Sequence, residues 1–163
     1  LYIVNNYYQK SLENFKLLAS SKNFKTKLPT KSQYANFIDL FILGKDGGNS
    51  SPTSRSLCFK SSSGRKNNKW VWVEIKNFKG EPGWLYGSAD FIVFEFIDQY
   101  LFVPRKHLVD FIHSKINFSA SIVANPWEAK YKIFQRQNNF DEITQVNSLD
   151  LLKLANTIEW KKQ

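Results

Sequence analysis

The sequence predicts a mixed α/β domain with a central sheet flanked by helices. Apolar residues recur at helical spacing near the start of the chain and again after residue 104, whereas several segments between them have the apolar patterns of strands. The helical and extended segments alternate too irregularly for a Rossmann domain, and no Gly-rich phosphate loop follows a strand. With 163 residues, of which 42% are hydrophobic, the chain is expected to form one domain over residues 1–163.

The first part of the chain is predicted to hold one helix and one buried strand. Tyr8, Leu12, Phe15 and Leu18 recur at helical spacing and predict a helix over residues 5–21, with Glu13 on a neighbouring face. The segment "YANFIDLFIL", residues 34–43, is apolar on both faces apart from Asp39 and predicts a strand. A long connection rich in Gly, Ser, Asn and Lys follows, with a short strand expected at "SLCFK".

The segment "KWVWVEIKN", residues 69–77, predicts a strand with two different faces. Strict alternation places one set of side chains on an apolar face, namely Val71, Val73 and Ile75. The opposite face carries Trp70, Trp72, Glu74 and Lys76. Such a strand is expected to anchor in the core while presenting a carboxylate and an ammonium group.

The second half of the chain is predicted to add strands at residues 91–97 and 99–104 and a helix after Pro104. Residues 131–146 are expected to form two short strands around a polar turn at residues 137–139, and Ser148 is expected to cap a short helix. We therefore expect a core over about residues 11–115 and a small C-terminal β/α extension over residues 116–163.

The charge balance favours a polyanionic partner. Twenty-three Lys and Arg residues against fourteen Asp and Glu residues give a net charge of +9. Neutralisation of phosphates by such side chains supplies most non-specific affinity for nucleic acids. A basic surface that only keeps the protein soluble is the competing interpretation.

Cysteine and histidine usage limits the kinds of site. Cys58 is the only cysteine, which excludes a disulfide within this sequence and a zinc site built on cysteine pairs. His107 and His113 are too few for a histidine-based metal site. A hard cation bound by carboxylates is the remaining kind of metal. No apolar run is long enough to span a membrane, and we expect a cytoplasmic protein.

Asp39, Glu74 and Lys76 are the main candidates for chemistry. A carboxylate buried at Asp39 would be costly without a partner or a metal. Two carboxylates from adjacent strands, with a lysine beside them, could hold a divalent cation and activate water. The competing interpretation is that Asp39 pairs with a surface lysine and that Glu74 and Lys76 are ordinary charges on a solvated face.

These residues resemble the PD-(D/E)XK nuclease superfamily, which includes restriction enzymes, Holliday-junction resolvases and some homing endonucleases. The resemblance implies a restriction-endonuclease-like fold, with Asp39 and Glu74 as ligands of Mg²⁺ or Mn²⁺. It also implies that Lys76 assists water activation and that Glu13 is an additional acidic ligand. Asp46 is an alternative to Asp39, although its glycine-rich surroundings would hold a ligand loosely. Double-strand cleavage would require a homodimer or a higher homo-oligomer.

Three basic segments are candidates for DNA contacts. The connection before residue 70 and the helix after Pro104 each concentrate positive charge, and residues 130–137 alternate basic and apolar side chains as a β-ribbon would. The candidate residues are Lys60, Arg65, Lys66, Lys69, Arg105, Lys106, Lys132, Arg136 and Gln137. Solvated loops and an ordinary amphipathic hairpin are the competing interpretations.

The sequence therefore predicts a metal-dependent DNA endonuclease of a homing, phage or resolvase type. A non-catalytic nucleic-acid-binding module on the same fold is the alternative from another class. In that module Glu74 and Lys76 would form only a cross-strand pair. An RNA-directed nuclease is a further alternative.

Overall fold

The computed structural model describes residues 2–44, 53–62 and 69–163, with side chains described from residue 6 onward. Within these residues the chain forms four α-helices and eight strands. The helices are α1 (Tyr2–Ser21), α2 (Lys31–Ala35), α3 (Arg105–Lys115) and α4 (Ser148–Leu152). The strands are β1 (Lys25–Lys27), β2 (Leu40–Gly44), β3 (Thr53–Lys60), β4 (Trp70–Lys76), β5 (Phe91–Glu95), β6 (Gln99–Pro104), β7 (Glu142–Asn147) and β8 (Ile158–Lys161). None of the described helices has the length and apolar character needed to cross a membrane.

Six of the strands form one mixed sheet in the order β1-β2-β3-β5-β6-β8. The pairs β1–β2, β2–β3 and β6–β8 are antiparallel, whereas β3 and β5 are parallel. The parallel pair requires a crossover, which is made by the 30 residues between Lys60 and Phe91. The mixed α/β class predicted from the sequence is thereby confirmed.

The contacts divide the chain into two compact units. The first unit consists of Leu1–Lys66, Ser88–Phe102 and Ile158–Gln163. Its core lies between α1 and one face of the six-stranded sheet. Phe15 of α1 is fully buried, and its ring centroid lies 5.1 Å from that of Tyr100 and 5.8 Å from that of Trp160. The apolar residues that recur at helical spacing in α1 therefore form the face of the helix that packs on the sheet, as expected.

The second unit consists of Asn67–Gly87 and Val103–Thr157. Its two-stranded sheet pairs β4 with β7 in antiparallel fashion. The predicted alternation along β4 is confirmed, because Val71, Val73 and Ile75 are buried while Trp72 on the opposite face is 38% exposed. Helices α3 and α4 belong to the same unit. The expectation that Ser148 caps α4 is wrong, because the cap is Asn147, whose side chain accepts a hydrogen bond from the Leu149 amide.

The predicted strand over residues 34–43 is only half right. The strand begins at Leu40, and the residues before it form α2 and a turn. Thr30 and Gln33 form a capping box, in which the Thr30 Oγ1 accepts from the Gln33 amide at 3.3 Å and the Gln33 Oε1 accepts from the Thr30 amide at 2.9 Å. This local capping outweighs the β propensity of the following residues.

The prediction of two strands over residues 131–146 is also wrong in its first half. Only β7 is a strand, and the preceding residues form isolated bridges in which Lys130 faces Gln145 and Phe134 faces Ile143. Tyr131 has a φ angle of 56°, which interrupts an extended strand. Two short edge strands, β1 and β8, were absent from the sequence prediction.

Candidate functional site

Asp39 immediately precedes β2, beside the C-terminal half of β3, and its carboxylate accepts several hydrogen bonds. The Phe59 amide donates to its Oδ2 at 2.7 Å. The Tyr8 hydroxyl and the Cys58 thiol also bond to this carboxylate, and the Lys60 ammonium attracts it. α1 supplies Tyr8, whose ring also contacts Phe59 with a centroid separation of 6.0 Å. The structure therefore gathers a carboxylate, a phenol, a thiol and an ammonium within the first unit.

Burial dominates the electrostatics of this group. Desolvation raises the pKa of the Asp39 carboxyl, although Lys60 and the hydrogen-bond donors oppose the increase. Desolvation also raises the pKa of Cys58 to about 12 and that of Tyr8 well above its ordinary value. Because the thiol stays protonated at neutral pH, Cys58 is excluded as a thiolate nucleophile. Asp39 and Lys60 are the two groups that can carry charge here.

Glu74 and Lys76 each have a partner in the second unit. The Glu74 Oε1 accepts a hydrogen bond from the Trp84 amide at 3.3 Å. The Lys76 Nζ lies 2.7 Å from the Glu142 Oε1, directly across the β4–β7 pair. Lys76 thus forms a cross-strand ion pair with β7 and not with its neighbour on β4. Both charges have structural roles that need no ligand.

The expectation that Asp39 and Glu74 come from adjacent strands is wrong. The neighbours of β2 are β1 and β3, and the partner of β4 is β7, in a separate sheet. The sequence from β3 to β5 folds as a crossover, so that β4 leaves the six-stranded sheet. On the strand next to Asp39, the lysine is Lys60.

Glu13 lies on the exposed side of α1. Its side chain is 61% exposed and its carboxylate pairs with Lys16 at 2.7 Å. Within residues 2–44, 53–62 and 69–163 no three His, Cys, Asp or Glu side chains form a group that could hold a metal. The alternative ligand Asp46 lies outside the described residues.

The predicted DNA-contacting residues are spread over several elements. Arg65 and Lys66 lie outside the described residues. Lys69 is exposed just before β4, and Lys106 is exposed in the first turn of α3. The Arg105 guanidinium donates to the Leu85 carbonyl at 3.5 Å. These positions lie on different elements.

The expected β-ribbon around Arg136 is replaced by a folded turn. Lys132 and Gln137 are exposed there. The Arg136 guanidinium pairs with Asp141, which is fully buried and also accepts from the Arg136 amide at 3.0 Å. Arg136 thus satisfies a buried carboxylate. Lys130, Lys132 and Gln137 are the exposed polar groups of the predicted ribbon apart from Arg136.

Sequence reasoning missed Tyr8 and Cys58 as neighbours of Asp39 and gave Lys60 only a DNA-binding role. A signal was present in "SLCFK", where Leu57 and Phe59 alternate with Cys58 and Lys60. That alternation places the thiol and the ammonium together on one face of β3. The bond between Tyr8 and Asp39 depends on the docking of α1, which no local pattern specifies.

The residues around Asp39 fit a Mg²⁺ or Mn²⁺ ion only in part. Asp39 provides a hard oxygen ligand, and its buried carboxylate would gain from a nearby cation. Mg²⁺ in proteins is commonly bound by one or two carboxylates together with substrate phosphates and water. Asp39 would therefore hold the ion jointly with a bound phosphate.

Comparison of the chain with protein-family models, curated proteins and solved structures gives no match.

Proposed function

We propose that the chain is a metal-dependent DNA endonuclease whose reaction centre is Asp39 with Lys60. The observation that carries the proposal is the placement of a half-buried carboxylate just before β2 and of a lysine at the end of the neighbouring strand β3. This pair stands for the Asp and Lys of the PD-(D/E)XK pattern, and Cys58 stands where that pattern has its second carboxylate. In this proposal Lys60 has the role that the sequence analysis gives to Lys76.

The two residues have distinct tasks in phosphodiester hydrolysis. In-line attack by water builds negative charge on the nonbridging oxygens of the phosphate, and the Lys60 ammonium offsets that charge in a partly dry site. Asp39 orients the attacking water and would hold the cation. When bound, Mg²⁺ or Mn²⁺ would supply Lewis acidity at the phosphate and lower the pKa of a bound water.

The charge distribution supports a nucleic-acid substrate. The first unit, which contains Asp39, carries thirteen Lys and Arg residues against seven Asp and Glu residues. Most of the excess positive charge therefore belongs to the unit with the proposed centre. One centre cuts one strand, so cleavage of a duplex would be carried out by a homodimer or a higher homo-oligomer.

A non-catalytic nucleic-acid-binding module is the second candidate. It is favoured by the contacts of Glu74 and Lys76, which are satisfied by the Trp84 amide and by Glu142. In this module the positive charge would bind phosphates while Asp39 remained a structural carboxylate. The two candidates differ in whether the bound strand is cut.

The deciding experiment compares cleavage of supercoiled plasmid and branched DNA in Mg²⁺, in Mn²⁺ and in EDTA. We expect metal-dependent cutting that is lost in Asp39→Asn and falls by at least about 100-fold in Lys60→Met. Lys76→Met serves as the matched lysine control and is expected to cut at nearly the wild-type rate. Circular dichroism of each variant verifies that the fold is retained.

Two outcomes would contradict the assignment. Binding of DNA without cutting in either metal would establish the binding module instead. Cutting that survives Asp39→Asn but is lost in folded Glu74→Gln and Lys76→Met would move the centre to β4.

A further inference from the structure

Residues 14–38 carry charge of one sign only. This stretch contains five lysines and no Asp or Glu. Lys25, Lys27 and Lys31 are exposed, and the ion pairs among the described residues involve none of these three. Their ammonium groups are therefore available to an external anion.

Strand register places Lys25 and Lys27 on the sheet face that also carries Lys60. Lys27 lies opposite Phe41 and Lys25 opposite Leu43, and directly opposite residues of antiparallel strands share a face. Leu40 of β2 packs in the core beneath α1. Because side chains alternate along a strand, Phe41 and Leu43 lie on the other face of the sheet, and so do the two lysines opposite them. Phe41 follows Asp39 by two residues, or about 7 Å along the chain. Lys27 and Lys60 thus lie on β1 and β3, the two strands that pair with β2.

Tyr34 presents an aromatic ring at the same end of β2. Its side chain is 64% exposed. The Phe37 amide donates to the Tyr34 carbonyl at 3.0 Å, and the Ile38 amide donates to the Gln33 carbonyl at 3.1 Å. This turn fixes α2 immediately before Asp39.

We propose that Lys25, Lys27, Lys31 and Tyr34 bind a nucleic-acid strand with unpaired bases, the lysines on its phosphates and the Tyr34 ring stacked on one base. The inference rests on the proposed function, because it names the class of substrate delivered to Asp39. Bases in a duplex are already stacked on one another and offer no free face to a tyrosine. Exposed aromatic rings beside lysines are how proteins hold single strands.

The test measures fluorescence anisotropy of a labelled single-stranded oligonucleotide and of its duplex, in EDTA so that no cutting occurs. We expect tighter binding of the single strand. Tyr34→Ala should weaken it by about 5- to 100-fold, the loss expected for one base–aromatic stack, whereas Tyr34→Phe should retain it. Trp127→Ala, at a side chain that is 69% exposed in the second unit, is the matched aromatic control and should bind as the wild type.

The lysines are tested through salt dependence. The double variant Lys25→Gln/Lys27→Gln should lower the slope of log affinity against log salt by about 1.4, as expected for two contacts to single-strand phosphates. Lys153→Gln, at a side chain that is 77% exposed, removes one positive charge elsewhere and should lower it far less. DNA and RNA oligonucleotides of one sequence distinguish the two sources of an unpaired strand.

Failure of this inference is distinguishable from failure of the proposed function. Equal affinity for single strand and duplex, unchanged in Tyr34→Ala, would overturn the inference even if Asp39-dependent cutting is observed. Single-strand binding that depends on Tyr34 without any cutting would support the inference and remove the nuclease.

Discussion

Gly83 lies against Glu74 so closely that a β-carbon has no room. A methyl group at this position would lie 2.7 Å from the Glu74 carbonyl oxygen and 2.8 Å from its Cγ. The φ angle of Gly83 is −80°, which any residue adopts, so the conflict is one of space. Gly83→Ala should force β4 away from the segment that follows it.

The cost can be worked from these contacts. Overpacking of this kind typically costs 1–3 kcal/mol, roughly, in unfolding free energy. The shift also weakens two hydrogen bonds, from the Gly83 amide to the Ile75 carbonyl at 2.8 Å and from the Trp84 amide to Glu74, each contributing about 1 kcal/mol. Alanine gives the unfolded chain less conformational entropy than glycine does, which offsets about 0.4–1 kcal/mol of this loss of stability. We expect a net destabilisation of about 3 kcal/mol.

Urea unfolding followed by tryptophan fluorescence measures this change. Glu81→Ala, at an exposed neighbouring position, is the control and should change stability by less than about 0.5 kcal/mol. Combining Gly83→Ala with Glu74→Ala removes the Cγ conflict but leaves the carbonyl conflict, so the double variant should recover part of the loss. A Gly83→Ala protein as stable as the wild type would refute the close packing of Glu74 on this segment.

Three further predictions concern charge and core packing. Because burial raises the pKa of Asp39 above its ordinary 3.8, the stability supplied by its neutral form is present at low pH and lost as pH rises through the raised pKa. Asp39→Asn should therefore gain stability over the wild type at neutral pH, measured by thermal unfolding across a pH series; equal curves would contradict this. Lys76→Met should cost less than about 1 kcal/mol, and less still in high salt, since its pair with Glu142 is half exposed. Phe15→Ala should cost about 3–5 kcal/mol in urea unfolding, whereas Leu17→Ala, at a side chain that is 70% exposed, should be nearly neutral.

The elements predicted correctly are those whose own periodicity specified them. α1, β4 and α3 each show a clear helical or strand period, β6 is a short apolar run that ends at Pro104, and each of the four is found with nearly the expected bounds. β1 and β8 have three and four residues, too few to give a periodic signal. α2 depends on the Thr30–Gln33 capping box. This signal is present in the sequence, but the prediction gave more weight to the apolar residues that follow it.

Of the candidate site, Asp39 could be predicted from the sequence, whereas its lysine partner could not. A carboxylate within an apolar segment drew attention to Asp39, and its half-buried position agrees with that reasoning. Its partner could not be predicted from spacing, because both "CFK" and "VEIK" place a lysine on a strand after Asp39. Only the strand order, which puts β3 rather than β4 beside β2, distinguishes Lys60 from Lys76.

The position of Trp160 in β8 bears on how the protein is made. Its ring stacks on Phe15 of α1 and lies 4.5 Å from that of Phe102 and 5.2 Å from that of Phe24. During synthesis these three aromatic residues leave the ribosome long before Trp160 does. The nascent chain must therefore keep an apolar cluster uncovered, and the edge of β6 unpaired, until residues 158–161 emerge. Such exposure invites chaperone binding and makes ribosome-bound intermediates prone to aggregate, so this unit would complete its folding only after most of the chain has been synthesised.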